Sequence, residues 1–385
     1  MTHSPAEDLL RDLIAIPSVN PELDGSEDRR GERRLVDWLE PWFAERGFRT
    51  RRIEATPGRP NLAATAGSDD APRTVLFESH LDTVGVDGFQ GDPFAMREDG
   101  GRLYGRGACD TKGPLAAFLA ALDDETLAAV SAAGVRLVWL GAIGEETGNL
   151  GAEEAAAAGL RADECIVLEP TEGRIVHAHK GACWFRAATR GRAAHGSDPA
   201  RGDNAILKMP AVWRAIEESV AAAAEAFTHP DLGPPTVSLG TIRGGTGINI
   251  VPDRCEIQVD RRFLPGESCD GILKDLHRRL ADVPGGVEIR LVKEGRAFHT
   301  DARAALPRRL GAALAAAGTE PAFEAAAWCS DAGVLAPVCG QTVVWGPGSI
   351  AQAHTADEFI ERASLQAGTE TLRRFLRDLG SEPAG

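Results

Sequence analysis

The way its apolar runs end is the feature that most constrains how this chain can fold. TVLFES (74–79), VRLVWL (135–140) and ECIVLE (164–169) are short and apolar, and the stretches between them, PLAAFLAAL (114–122) and GAEEAAAAG (151–159), are alanine-rich. A strand buried on both faces needs cover on both, so strands alternating with helices predict an α/β sheet flanked by helices. The run VRLVWLGAIGEETGNLG closes on two adjacent glutamates, Glu145 and Glu146. Neighbouring side chains on a strand point to opposite faces, so this pair does not read as ordinary surface charge of one face.

Between about 179 and 292 the pattern changes. ACWFRAATRG reads as a strand and DNAILKMPAVWRAIEESVAAAAEAF as a long helix; PTVSLGTI and CEIQVDRRF follow as strands, then a helix from Glu267 to about Ala281 and the strand VEIRLV. That β-α-β-β-α-β order predicts a ferredoxin-like α+β domain. RRLGAALAAAG, the strand TVVWG and a final helix from about Asp357 then resume the first pattern. The expectation is one α/β domain, 1–178 with 293–385, interrupted by an inserted domain, 179–292. At the start, Ser4, Pro5 and Glu7 predict a capped amphipathic helix rather than a secretory signal.

The net charge of −15 argues against nucleic acid, whose phosphates need a basic face. No segment has the apolar length of a membrane span. The seven cysteines (Cys109, Cys165, Cys183, Cys255, Cys269, Cys329 and Cys339) include no C-x-x-C pair and are odd in number, which predicts a reduced, cytoplasmic protein.

Five polar motifs follow the apolar runs, at the edge where open α/β sheets bind ligands. SHLDT gives His80-x-Asp82, whose side chains share a face in extended chain. Asp82 could orient a metal-bound imidazole or simply bond a structural histidine. YGRGACDTKG places Asp110 in a glycine-rich turn before a helix. Alone it reads as a cap, and the P-loop order is absent. Of Glu145 and Glu146, one can hold a cation while the other stays free as a general base. IVLEPTEG sets Glu169 at a third strand end, and GPGSIAQAHTADEF carries His354 after the last. Gathering His80, Asp110, Glu145, Glu146, Glu169 and His354 in one cleft without cations would force like charges together. Divalent cations remove that cost. The mixed nitrogen and oxygen set suits zinc, with cobalt or manganese as alternatives, and two cations about 3.5–4 Å apart are a recurrent hydrolytic arrangement.

These motifs, with LLRDLIAIPSVNP, RGRAAHGSDPARGDNAI and GGTGINIVPDRCEIQVDRRFLPGE, run in order over almost the whole chain. The chain resembles the M20 family of metallohydrolases, which includes acetylornithine deacetylases, succinyl-diaminopimelate desuccinylases, aminoacylases and glutamate-releasing carboxypeptidases. The resemblance implies a zinc-hydrolase-type domain with a mixed central sheet, interrupted by a lid that pairs two subunits. It implies that His80, Asp110 and Glu169 hold one metal and Asp110, Glu146 and His354 the second, with Asp110 bridging. Glu145 is then the general base, and Asp82 orients His80. A cis peptide is expected between Asp110 and Thr111. His195 is expected to reach the neighbouring subunit's site, Asn249 and Arg262 to grip a substrate carboxylate, and Ser330, Gly346, Pro347 and Gly348 to line the pocket. Cys109, Thr111 and the Leu168 before Glu169 depart from the commonest deacetylase pattern without touching a ligand; a glutamate at 169 tends to accompany deacylases and carboxypeptidases.

The function so implied is hydrolysis of the amide bond of N-acyl amino acids, with N-acetylornithine-type substrates first. A desuccinylase, or a carboxypeptidase or dipeptidase, is the alternative. A non-catalytic metal-dependent binding protein is the alternative of another class, although a binder needs ligands and no base.

Overall fold

The computed structural model describes residues 3–24, 26 and 31–380. The chain divides into two compact units, Met1–His177 with His299–Glu324 and Ser330–Gly385, and Ala178–Phe298 with Ala325–Cys329. The return boundary expected after residue 292 falls inside the strand Val287–Gly295. The apolar run VEIRLV stops at Val292, but pairing continues through the polar Lys293 and Glu294 opposite Trp184 and Cys183. Backbone pairing, invisible to an apolar pattern, carries the strand further.

The first unit is built on a mixed sheet. Its strands lie in the spatial order Arg49–Thr56, Arg59–Ala66, Arg136–Ala142, Thr74–His80, Ala162–Val167, Cys339–Val344 and Ile175–His179. Thr74–His80 is parallel to both neighbours, and Ala162–Val167 is parallel to Cys339–Val344. In register, His80 faces Ala142, Glu78 faces Val167, and Val167 faces Val344. Four strands therefore end at one edge, and the loops leaving them carry the polar motifs. The opening hairpin, Arg49–Thr56 with Arg59–Ala66, is antiparallel. Its first strand, RTRRIEAT, is too polar to register as an apolar run.

Helix Lys112–Ala121 is buried along nearly its whole length, as its all-round apolar sequence requires. It packs between Pro5–Ile14 and Arg362–Arg377. Ser4 caps Pro5–Ile14 by accepting the Glu7 amide. Phe118 of the buried helix meets Phe77 of the central strand at 4.7 Å between ring centroids. The last helix begins at Arg362 rather than near Asp357, because Phe359–Glu361 is a short strand paired with Arg102–Tyr104.

The second unit is a four-stranded antiparallel sheet in the order Thr236–Gly244, Arg254–Phe263, Gly181–Arg190, Val287–Gly295. Helices Ala205–Ala226 and Cys269–Arg279 complete the β-α-β-β-α-β unit, and this spatial order is the ferredoxin-like one. Burial alternates along Arg254–Phe263, so one face is covered and the other is not. The expectation of fully reduced cysteines is corrected here: Cys183 and Cys269 form a disulfide across 86 residues. The partners meet only when the strand Gly181–Arg190 receives the start of the second helix, so their spacing along the chain carried no sign of the bond. Cys109, Cys165, Cys255 and Cys339 are free thiols.

Arg309, on helix Ala305–Ala316, donates to both oxygens of Glu164 on the central sheet at 2.7 and 2.6 Å, and both side chains are buried. Removing one partner strands a buried charge. Arg309→Met should therefore destabilise the protein by roughly 3–5 kcal/mol, whereas Arg309→Met with Glu164→Leu should recover much of that loss. Urea unfolding of the two variants checks this.

Candidate metal centre

Four of the six residues, His80, Glu145, Glu146 and Glu169, stand at or just past the ends of strands in the central sheet. His80 is the last residue of Thr74–His80. Its Nε2 lies 2.9 Å from Asp110 Oδ1 and 3.9 Å from Glu169 Oε1. Asp110 precedes the buried helix and is joined to Thr111 by a cis peptide. Its other oxygen, Oδ2, is 3.3 Å from His354 Nε2, and that nitrogen is 3.0 Å from Glu146 Oε2. The two carboxylate oxygens of Asp110 thus face two different histidines. Two groups of donors result, His80–Asp110–Glu169 and Asp110–Glu146–His354, each with its atoms within 4.8 Å of one another.

The loops are shaped to deliver these atoms. Gly144 takes φ +71°, turning the strand Arg136–Ala142 into the short helix Glu145–Gly148. His354 itself sits at φ +61°, a conformation that costs a non-glycine residue free energy and recurs where function fixes the backbone. Gly346 and Gly348 belong to the loop after Cys339–Val344. A Cβ on Gly346 would lie 2.7 Å from the Glu169 carbonyl oxygen, and one on Gly348 2.8 Å from Cys109 Sγ. Both positions need glycine for that close approach.

Asp82 acts on His80 differently from the expectation. His80 Nδ1 bonds to the Asp82 backbone carbonyl at 2.9 Å, while the nearest carboxylate oxygen is 3.7 Å away. The Asp82 carboxylate instead accepts the backbone amides of Glu145 and Glu146, at 3.1 and 3.2 Å, and the Asn20 side chain at 2.7 Å. It caps the turn that presents both glutamates, and its carbonyl fixes the imidazole. One residue thereby joins the first ligand strand to the paired glutamates.

Titration reflects the crowding. Burial raises Glu145, Glu146 and Glu169 above the usual carboxylate range, although nearby histidines pull the other way. Burial would also raise Asp110, but hydrogen bonds with His354 and His80 hold it well below that range. His80 is buried, which lowers an imidazole, yet Asp110 and Glu169 hold it well above its normal value. Bonds to Asp110 and Glu146 push His354 up to about 10. The imidazoles thus stand in as counter-ions for the carboxylates, and a divalent cation taking either place releases protons. The donors present fit such ions: imidazole nitrogens and carboxylate oxygens, three to a set, with one carboxylate common to both.

The remaining expected residues are distributed as follows. Gly346 donates its amide to Thr171 Oγ1 and accepts the amides of Thr171 and Gly173; Gly348 donates to Ser364 Oγ. Pro347 between them is buried. These backbone groups are spent inside the protein, so they shape the Glu169 loop rather than offer donors to a pocket. Ser330 is buried, and its hydroxyl accepts the Ala332 amide. His195, Asn249 and Arg262 belong to the second unit. The loops of the first two are joined by a bond from the Gly196 amide to the Asn249 carbonyl, and His195 is exposed. Arg262 forms a two-pronged ion pair with Asp260 at 2.9 and 3.0 Å.

Three supporting residues escaped the sequence reading. Asn20 reaches Asp82, Asn149 donates to Asp331 at 2.8 Å, and Glu358 lies under the Asp110 turn. Burial pushes Asp331 up to about 6. Their partners lie 62, 182 and 248 residues away, and no local pattern marks such pairs.

Residues 76–378 match the family described as Peptidase family M20/M25/M40. The chain is 32% identical over 375 residues to an acetylornithine deacetylase of Vibrio atlanticus (strain LGP32), covering 94% of each chain. Its fold is similar to that of an M20 family metallo-carboxypeptidase from Sulfolobus solfataricus, with a TM-score of 0.78 at 18% identity, covering 98% of this chain and 100% of that one. It is also similar to a dinuclear metal-binding M20 peptidase of Bacillus subtilis, with a TM-score of 0.67 at 14% identity, covering 97% and 96%. With the family matched across most of its length and a relative at this identity, the chain belongs to peptidase family M20/M25/M40 and is a metal-dependent amidohydrolase.

Proposed function

We propose that this enzyme hydrolyses the amide bond of N-acyl amino acids, with N-acetylornithine-type substrates preferred, and that it does so with two divalent cations. The observation that carries the reading is the division of Asp110 between two donor sets, with Glu145 beside the Glu146 ligand. The acetylornithine deacetylase of Vibrio atlanticus supplies the substrate class by its 32% identity. Zinc is the expected metal, with cobalt or manganese able to replace it.

His80, Asp110 and Glu169 would hold one cation and Asp110, Glu146 and His354 the other; when bound, they would supply Lewis acidity towards the acyl carbonyl and make water acidic enough to give up a proton near neutral pH. The protein's part is to hold that geometry and handle the proton. Glu145 accepts the proton of the attacking water at its carboxylate and passes it to the leaving amine. Its half-buried position raises its proton affinity, which suits a group that must carry a proton between two steps. Arg262 and Asn249 hold the substrate α-carboxylate, with the guanidinium exchanging Asp260 for it, and His195 of a neighbouring subunit stabilises the developing oxyanion.

The second unit is accordingly read as a lid that also pairs two copies of the chain. Its edge strand Thr236–Gly244 and the helix beginning at Ala205 expose Ile206, Leu207, Leu239 and Ile242, and Ile248 is fully exposed nearby. Apolar side chains gathered along an edge strand suit burial against a second copy. Among the described residues no helix is long and apolar enough to cross a membrane.

A substrate panel tests the assignment. With Zn2+-loaded enzyme, kcat/KM should be highest for N-acetylornithine and related acetyl-amino acids. Higher values for N-succinyl-diaminopimelate or for dipeptides would move the assignment to the desuccinylase or carboxypeptidase branch. Glu145→Gln should retain both metals by atomic emission and lose on the order of 10²–10⁴ in kcat; near-full activity would remove Glu145 from the role of base. Mixed dimers of His195→Ala and Glu145→Gln protomers, each inactive alone, should regain measurable turnover, because one site then has an intact base and an intact partner histidine.

A further inference from the structure

Beneath the Asp110 turn lies a carboxylate that no step above uses. Glu358 is 1% exposed and is met by donors alone. Its Oε1 accepts the backbone amides of Cys109 and Asp110 at 2.9 and 3.1 Å. Its Oε2 accepts the Gly107 amide at 2.9 Å and Arg106 Nη1 at 2.7 Å. Three amides of one four-residue turn therefore converge on a single side chain. Only an acceptor on both oxygens satisfies all four donors. A glutamine would set its NH2 group against two of them in either orientation.

The position of Glu358 in the chain gives this clamp its consequence. It lies four residues after His354, on a segment pinned further by a bond from the Gln90 amide to the Ala356 carbonyl at 2.7 Å. One short segment thus carries a donor of the second set and also holds the backbone of the residue shared by both. Asp110 has one oxygen aimed at His80 and the other at His354, so a small rotation or shift of its backbone misplaces both at once.

We propose that Glu358 is a positioning residue for Asp110, and that through it the His354 segment sets the affinity of both cation sites rather than the second alone. This rests on the two-cation reading above. It distinguishes Glu358 from a residue that only adds stability, because stability can fall without changing the cation affinity of the molecules that remain folded.

The test is calorimetric titration of metal-free protein with Zn2+, below the unfolding temperature of each variant. Wild type should take up two ions. His354→Ala should weaken the second ion and leave the first within about threefold. Glu358→Gln should weaken both by roughly 10–100-fold, the usual cost of losing a group that orients a ligand, and should lower kcat with little change in KM once saturated with metal. Two ions bound by Glu358→Gln as in wild type would overturn the proposal and leave the two-cation reading intact. Failure of wild type to bind any ion would overturn both. Should Glu358→Gln not fold, amide exchange of metal-free wild type decides the matter. The Gly107, Cys109 and Asp110 amides should exchange more slowly than those of the exposed Gly100–Gly101 turn; equal rates would show that the clamp is not formed and overturn the proposal.

Discussion

The structure depends on a single carboxylate having two partners. Asp110 must present one oxygen towards His80 and the other towards His354, and those histidines arrive from a strand end and a loop far apart in sequence. A carboxylate offers its two oxygens in a fixed plane, so the two segments have no freedom to settle independently. Much of the surrounding architecture supports that demand: the parallel register that ends four strands together, the buried helix that roots the Asp110 turn, and the glycines that let the Glu169 loop approach the loop after the last strand.

The same demand explains why so many acids tolerate one another here. Glu145, Glu146 and Glu169 would each hold their protons longer than usual in this environment, while Asp110 gives its proton up readily because both histidines bond to it. The site is therefore graded. The carboxylate shared between the donor sets gives up its proton, while Glu145, Glu146 and Glu169 around it hold theirs. Asp82 reinforces this grading from below, since the amides of Glu145 and Glu146 both end on its carboxylate.

Much of this was legible in the sequence, because it follows from where apolar runs stop. Residues 80, 145, 146 and 169 stand within a few positions of a buried strand's end, and a parallel sheet brings such ends together. The inserted unit was legible through the alternation of its strands and helices. Residues whose partners are distant were not. Nothing around Asn20, Asn149 or Glu358 signals a bond across the fold, and nothing around Cys183 or Cys269 signals the disulfide. Asp82 was recognised as a partner of His80, but which of its oxygens serves the imidazole depends on a turn that only the folded chain defines. The strand Arg49–Thr56 and the late start of the last helix went unseen for a related reason: edge strands are held by backbone pairing and carry little apolar signal.

The place of Cys339–Val344 in the central sheet bears on how the chain is made. This strand lies between Ala162–Val167 and Ile175–His179, yet it is synthesised long after both, with the whole second unit in between. As the chain leaves the ribosome, the greater part of the second unit, Ala178–Phe298, can close on its own contacts, while the first waits with a gap in the middle of its sheet. During that interval the Ala162–Val167 strand exposes an unpaired apolar edge, the kind of surface that chaperones shield and neighbouring nascent chains capture. Translation speed through the last quarter of the message would therefore weigh on the yield of this protein more than on that of a chain whose strands pair in the order they are made.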